Sequence, residues 1–393
     1  MSESKLSEAR GKWTYPNQIY FGCGSLNNIA NLTINTKIKR PLLVADPGLP
    51  EQIISRTFNY LKQEIPETGL FTDITENPSD KSVTSGLEVF RSDDHDGVVT
   101  IGGGSAIDVG KAIAFMDGES RPIFDFEDRF DWWERAERSQ RRPVIAIPTT
   151  AGTGSEVGRA SVITDSRDGH KKLIFHPDML PKMSILDAEL TLALPAELTA
   201  ATGMDALVHN LESYIALGCH PIAEGVALEG LRLASCHLKN AVENGSDLES
   251  RCGMLFSSTM GAIAFQKGLG AVHALAHPVG SLFQSHHGLT NAVLLPYVLA
   301  YNFPLVQDKL ATLARYLDLQ GNTPDSFLEW IIGLRASLNI PNTLSALGPN
   351  ESDINKLAKL AINDQATTTN PRPLNENEIS DIYKNAISGH INI

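Results

Sequence analysis

Short apolar runs alternate with polar, helix-forming stretches through the first half of the chain. The runs at 19–21, 41–45, 69–72, 97–101 and 143–147 each end in Gly, Asp, Pro or Thr, and polar helical segments lie between several of them. That rhythm predicts a mainly parallel β-sheet with helices on both faces. From about Pro195 the texture changes. Residues 196–217, 221–244, 248–265 and 272–283 carry long helical periodicity, and strand-like stretches almost vanish. The pattern predicts an α/β domain over residues 1–192 and an all-α domain over 193–393. Residues 117–142, with Phe126-Glu-Asp-Arg-Phe-Asp-Trp-Trp-Glu-Arg135, read as a charged and aromatic insertion. A surface loop with a short helix is expected there, with Trp132 and Trp133 as candidates to pack on a subunit or edge a pocket.

Composition narrows the class. A chain of 393 residues with 42% hydrophobic and 20% charged positions is long enough for two domains with full cores. Its 33 basic and 46 acidic residues give a formal net charge of −13, which argues against nucleic acid or an anionic membrane as partner. The opening Met1-Ser-Glu-Ser-Lys-Leu-Ser-Glu8 is polar and lacks the apolar core of a signal peptide, and no apolar run is expected to reach the length of a membrane span. Cys23, Cys219, Cys236 and Cys252 show no CxxC spacing, so a reducing cytoplasm is the expected location.

Two turns carry phosphate-binding chemistry. Gly102-Gly103-Gly104-Ser105 follows a strand and opens an amphipathic run, Ala106 to Phe115. Backbone amides without Cβ atoms approach an oxyanion closely, and a helix N-terminus adds roughly half a positive charge. Ser105 can cap that helix or donate to a phosphate. The segment Pro148-Thr-Thr-Ala-Gly-Thr-Gly-Ser-Glu156 follows its own strand in the same way, and two such turns at the carboxyl ends of parallel strands place ligands in one crevice. Asp46 also ends a strand, where a carboxylate binds a ribose hydroxyl and repels a 2′-phosphate; Asp46-Pro47-Gly48 is equally a simple turn. Together these suggest a Rossmann-like sheet binding a dinucleotide, NAD over NADP.

The helical half offers metal ligands. Asp205 and His209 stand four residues apart, as do His273 and His277, so each pair shares a helix face, and His287 follows. The stretch from Gly268 to Gly288 is otherwise apolar, where polar groups need a shared partner. Nitrogen and oxygen ligands without thiolate favour Fe(II), Zn(II), Co(II) or Mn(II). Spacing alone pairs His273 with His277 and does not separate His286 from His287.

In their order along nearly the whole chain, these landmarks resemble the iron-containing (group III) alcohol dehydrogenase family. They are Pro16 to Gly24, Gly102 to Asp108 with Lys111, Pro148 to Glu156, Gly203-Met-Asp-Ala-Leu-Val-His209, Gly268 to Gly280, His287-Gly288 and Asn370-Pro-Arg-Pro373. The resemblance implies a dehydroquinate synthase-like architecture, with metal and nicotinamide in a cleft between the two domains. It implies metal ligation by Asp205, His209, His273 and His287, with His277 near the nicotinamide as the proton relay. Gly102, Gly103, Gly104 and Ser105 would bind pyrophosphate, Thr149, Thr150 and Ser155 would line the cofactor, and Asp46 would favour NAD. Asp108 and Lys111 are motif positions with a structural reading beside the cofactor one, and Glu156 reads as a frame for its loop. The implied activity is NAD-linked, metal-dependent interconversion of a primary alcohol (a short-chain alcohol, a diol or a hydroxy acid) and its aldehyde. A homodimer or larger homo-oligomer is implied, through the strand near Tyr15 to Phe21. The alternatives weighed are a glycerol dehydrogenase- or dehydroquinate synthase-like enzyme, and a metal-dependent phosphohydrolase. Arg159, Lys171 and Lys172 are possible pocket residues, with solvated surface as the plainer reading.

Overall fold

A computed structural model describes residues 16–75, 77–137 and 141–391 of the chain. The polar N-terminal stretch, Tyr15 and part of the 117–142 insertion lie outside the described residues. The chain forms two compact units, one ending at Leu194 and one beginning at Pro195.

In chain order the first unit contains β1 (Gln18–Phe21), α1 (Ile29–Asn35), β2 (Pro41–Ala45), α2 (Glu51–Glu64), β3 (Gly69–Phe71) and α3 (Asp80–Ser92). It continues through β4 (Gly97–Gly102), α4 (Gly104–Met116), β5 (Val144–Pro148), β6 (Ala160–Thr164), β7 (Lys171–Phe175) and β8 (Met183–Leu186). Six strands form one parallel sheet in the order β1-β8-β5-β4-β2-β3, and β6 and β7 form an antiparallel hairpin. Every residue of β2, β4 and β5 is buried, as expected of parallel strands covered on both faces. Alternate residues feed two cores. Leu42, Val44, Val98 and Val144 pack with α3 and α4 on one face, while Leu43, Ala45, Val99, Ile101, Ile145 and Ile147 pack towards α1 and α2 on the other.

The strand order reverses between β2 and β4, which makes their carboxyl ends the topological switch point. Asp46 follows one of these strands and Gly102 ends the other; the Asp46 N–H donates to the Ile101 carbonyl at 3.0 Å. Helix α4 departs from the amphipathic pattern expected of it. It is buried on all sides from Ala106 to Met116, because the sheet and the β6–β7 hairpin both pack against it. That hairpin and β8 were not foreseen. The 117–142 insertion carries two 3-10 turns, Ile123–Phe126 and Trp132–Arg135, and it sends Ile123 and Phe126 into the core. Trp132 lies under the Arg135 and Arg129 guanidiniums, and Trp133 meets His176 edge-on.

The second unit comprises α5 (Ala196–Ile215), α6 (Pro221–Glu243), α7 (Leu248–Ala264), α8 (Ala271–Phe283), α9 (His287–Tyr316), α10 (Pro324–Ser337), α11 (Ile354–Ala361) and α12 (Glu376–Ser388). Helix α5 packs on α6, α7 and α9 and is buried continuously from Thr199 to Ile215. Its polar residues therefore need partners inside the protein. Helix α9 corrects one expectation. By length and composition it is apolar enough to cross a membrane, yet 72% of its most apolar window is buried inside the fold, the mark of a core helix. The four cysteines are free thiols.

Candidate metal centre and phosphate-binding turn

Helix α5 presents Asp205 and His209 one turn apart, α8 presents His273, and His287 opens α9. Around the Asp205 Oδ1 atom stand three imidazole Nε2 atoms: His287 at 3.6 Å, His273 at 3.8 Å and His209 at 4.0 Å. One ligand atom each from Asp205, His273 and His287 lies within 4.8 Å of the other two. The His209 ring stacks on His273 with centroids 4.7 Å apart. Gly288 explains how α9 comes so close. A Cβ there would meet the Ala201 carbonyl oxygen at 2.3 Å and the Asp205 Cβ at 3.0 Å, so only glycine lets the helix start against α5. His286 is the N-cap of α9, where its Nδ1 accepts the Leu289 N–H at 3.4 Å. The His287 side chain keeps 34% of its surface, which gives the cluster an open side.

Electrostatics favour neutral rings beside an ionised acid. Burial, reinforced by the neighbouring imidazoles, holds His273 and His287 well below the usual histidine range. Burial opposes ionisation of Asp205, but the surrounding imidazoles and the Asn291 N–H outweigh it and hold the carboxyl at about 2. The Asn291 amide nitrogen touches Asp205 Oδ1 at 2.8 Å, His287 Nε2 at 3.1 Å and His273 Nε2 at 3.3 Å. Its two protons are set among three acceptors, and its own Oδ1 is buried without a partner. A carboxylate and bare imidazole lone pairs that are short of protons fit a divalent cation.

His277 lies beside this group, with its ring stacked on His287 at 5.4 Å. Its Nδ1 pairs with Asp364 Oδ2 at 2.7 Å and its side chain is 48% exposed. His273 Nδ1 pairs with Glu212 Oε2, also at 2.7 Å. Burial pushes the Glu212 carboxyl up to about 7, against the N–H groups of Val272, Gly270 and His273. Sequence reasoning passed over Glu212, Asn291 and Asp364. The available signal was an acidic or amide residue inside a buried helix, or next to a ligand on the same face.

In the α/β unit the two glycine-bearing turns lie side by side. Gly102 has φ 151°, and the Thr149 N–H donates to its carbonyl at 3.0 Å. The Thr150 side chain lies 3.5 Å from where a Gly103 Cβ would stand. Gly103, not Ser105, is the N-cap of α4, and no side-chain hydrogen bond caps that end. Thr149 is buried at the turn, and Asp46 Oδ1 accepts the Gly48 N–H at 2.9 Å. Asp108 and Ser155 bond to each other: Ser155 Oγ donates to Asp108 Oδ1, and Asp108 Oδ2 accepts the Val162 N–H at 2.8 Å. Buried Lys111 joins them at 2.6 Å from Ser155 Oγ and 3.1 Å from Asp108 Oδ1. The Glu156 carbonyl accepts from Asn17 and Ser184 and frames its loop. Lys172 is engaged with Asp165 and Asp168 at the hairpin.

A dinucleotide-type switch point and a buried carboxylate–imidazole cluster in one chain define a metal-assisted, nicotinamide-linked oxidoreductase. The comparisons with known proteins agree. The iron-containing alcohol dehydrogenase model matches residues 16–188, and that for the C-terminal part of the Fe-containing alcohol dehydrogenase family matches 199–387. The 1,3-propanediol dehydrogenase of Citrobacter freundii is 35% identical over 384 residues, 94% of this chain and 97% of that one. The 4-hydroxybutyrate dehydrogenase of Cupriavidus necator is 35% identical over 370 residues, covering 91% and 95%. A crystal structure of 1,3-propanediol oxidoreductase matches with a TM-score of 0.92 at 34% identity, over 96% of this chain and all of that one. The chain belongs to the iron-containing alcohol dehydrogenase family. It is an alcohol and aldehyde oxidoreductase of a kind that depends on NAD(H) and a metal, and the phosphohydrolase alternative is set aside.

Proposed function

We propose that the chain interconverts a short primary alcohol bearing a second polar group, a diol or a hydroxy acid, with its aldehyde. The names of the propanediol and hydroxybutyrate relatives support that substrate class. The observation that carries the reading is the convergence of three Nε2 atoms on Asp205 Oδ1. Asp205, His209, His273 and His287 would hold Fe(II), with Zn(II) or another divalent ion as substitute. When bound, the cation supplies Lewis acidity to the alcohol or carbonyl oxygen, and nicotinamide C4 takes or gives the hydride. Asp205 sets the charge of the site, and the neutral imidazoles supply lone pairs without adding positive charge. His277 takes up or returns the hydroxyl proton at Nε2 while Asp364 orients Nδ1, and its half-exposed ring passes the proton to water.

Gly102, Gly103, Gly104 and Ser105 seat the pyrophosphate on the uncapped start of α4, and Thr149 and Thr150 flank it. Asp108 and Ser155 act through the Lys111 network to hold the second turn in shape. Asp46 selects NAD over NADP by accepting ribose hydroxyls. The edge strand β1 leaves Tyr20 43% and Phe21 68% exposed, which supports homo-oligomer formation through that edge. Free thiols support a cytoplasmic location.

The test is reconstitution. Metal-free protein is mixed with NAD, propane-1,3-diol and Fe(II), Zn(II) or Mn(II) in turn, and reduced nicotinamide is followed by absorbance. Turnover should require metal and vanish in His273→Ala together with metal retention, while NAD still binds. Turnover without metal, or unchanged metal content in His273→Ala, refutes the assignment.

A further inference from the structure

Helix α8 begins at Gly270 without any side-chain cap of its own. Its first amides are satisfied from elsewhere in the unit: the Ala271 N–H donates to Asn370 Oδ1 at 3.0 Å and the Val272 N–H to Glu212 Oε1 at 2.7 Å. Glu212 is 2% exposed and sits three residues beyond His209 on α5. Its other oxygen, Oε2, lies 2.7 Å from Nδ1 of His273. One carboxylate thus grips both the start of α8 and the imidazole that α8 carries.

The far side of the same ring shows which nitrogen holds the proton. Asp205 Oδ1 only accepts, so the Asn291 atom 2.8 Å away is the amide nitrogen, a donor. That nitrogen also stands 3.3 Å from His273 Nε2, and because an amide nitrogen accepts no hydrogen bond, a proton on Nε2 would face it unpaired. Nδ1 therefore carries the hydrogen and donates it to Glu212. Outer partners of this kind fix both the tautomer and the orientation of a metal-binding histidine.

We propose that Glu212 is a positioning residue that locks His273 in the Nδ1–H tautomer, directing the Nε2 lone pair to the cation, and ties the spacing of the ligand-bearing helices α5 and α8. This rests on the metal reading above. Glutamine has nearly the same shape and breaks the arrangement in either orientation. With its oxygen on the Val272 N–H, its NH2 faces Nδ1 and favours the tautomer whose proton points into the ligand cluster. With its oxygen on Nδ1, two donors oppose each other at the start of α8.

The experiment measures Zn(II) affinity of metal-free full-length protein by competition with a chromophoric chelator, alongside thermal melting and long-range nitrogen–proton NMR of the histidine rings. Glu212→Gln should bind Zn(II) about 10- to 100-fold more weakly than wild type. Asn370→Ala, which removes the other acceptor at the same helix end without touching His273, should lower the melting temperature and leave Zn(II) affinity within about two-fold of wild type. Equal losses of affinity in both variants would mean that Glu212 only braces the helix, and overturn the proposal. Wild-type affinity in Glu212→Gln also overturns it, whereas a wild type that takes up no Zn(II) overturns the metal reading and this inference together. If Glu212→Gln does not fold, the wild-type spectrum decides: His273 protonated at Nδ1 supports the proposal, and at Nε2 refutes it.

Discussion

Replacing Gly102 by alanine tests the switch-point reading where the backbone is least forgiving. Two effects add. Its φ of 151° is one that L side chains rarely adopt, and such strain costs about 1–3 kcal/mol. The new Cβ would also stand 2.6 Å from Asp46 Cβ and 2.8 Å from Ala106 Cβ. Neither neighbour can rotate away, because both atoms are fixed to the backbone, so overpacking adds about 1–3 kcal/mol. The sum, about 2–6 kcal/mol, takes a large share of the roughly 5–15 kcal/mol that holds a typical protein folded. At roughly 2–4 °C per kcal/mol for a unit of this size, melting should fall by roughly 5–20 °C. The neighbouring Gly103→Ala is the control. There φ is −74° and the nearest atom, Thr150 Cγ2, is 3.5 Å from the added carbon, so folding should be nearly unaffected. The methyl would still stand at the mouth of the turn and weaken NAD binding. Differential scanning calorimetry and NAD titration on both variants separate the effects. Equal melting temperatures in the two variants would refute the steric argument, and full NAD affinity in Gly103→Ala would remove the turn from the phosphate site.

Three further outcomes are expected. His277→Ala should keep its metal by elemental analysis but lose about 10²–10⁴-fold in turnover, with an altered pH profile; loss of metal would move His277 into the ligand set. Lys111→Met should destabilise the α/β unit by about 3–5 kcal/mol in denaturant titration, because it strands Asp108 in the buried network, and a neutral result would show that Asp108 finds solvent. Burial holds His273 and His176 below the usual value near 6.5, so the unfolded chain takes up protons before the folded one does. Their share of the stability is lost as pH falls below about 6.5, while the raised Glu212 carboxyl works the other way, so the test is a difference: His176→Phe should lose less melting temperature than wild type between pH 7.5 and pH 5.5, and an equal loss would contradict a neutral, buried His176.

What could be read from the residues follows the range over which each signal acts. Strands β2, β4 and β5 are continuous apolar runs bounded by turn residues, so local patterning found them. Strand β8 is four residues long and depends on pairing with distant β1 and β5, which no local window contains. Burial of α4 on all sides escaped for a related reason, since it requires knowing that a hairpin about 50 residues later covers its outer face. In the helical unit Asp205 with His209 and His273 with His277 were visible through four-residue spacing. The choice between His277 and His287 was not, because it depends on where α9 starts relative to α5, and the Gly288–Ala201 contact sets that. Glu212 was passed over because an acid in a helix normally faces water, and only tertiary packing turns this one inward.

The first strand among the described residues, β1, lies at the sheet edge against β8, with Gln18 opposite Met183 and Phe21 opposite Leu186. During synthesis the opening segment must therefore wait until most of this unit has left the ribosome before its partner exists. Closing so long a loop is slow, and the β1 and β5 edges that β8 pairs with stay open meanwhile. Nascent chains stalled before residue 183 should accordingly need chaperone protection that completed chains do not.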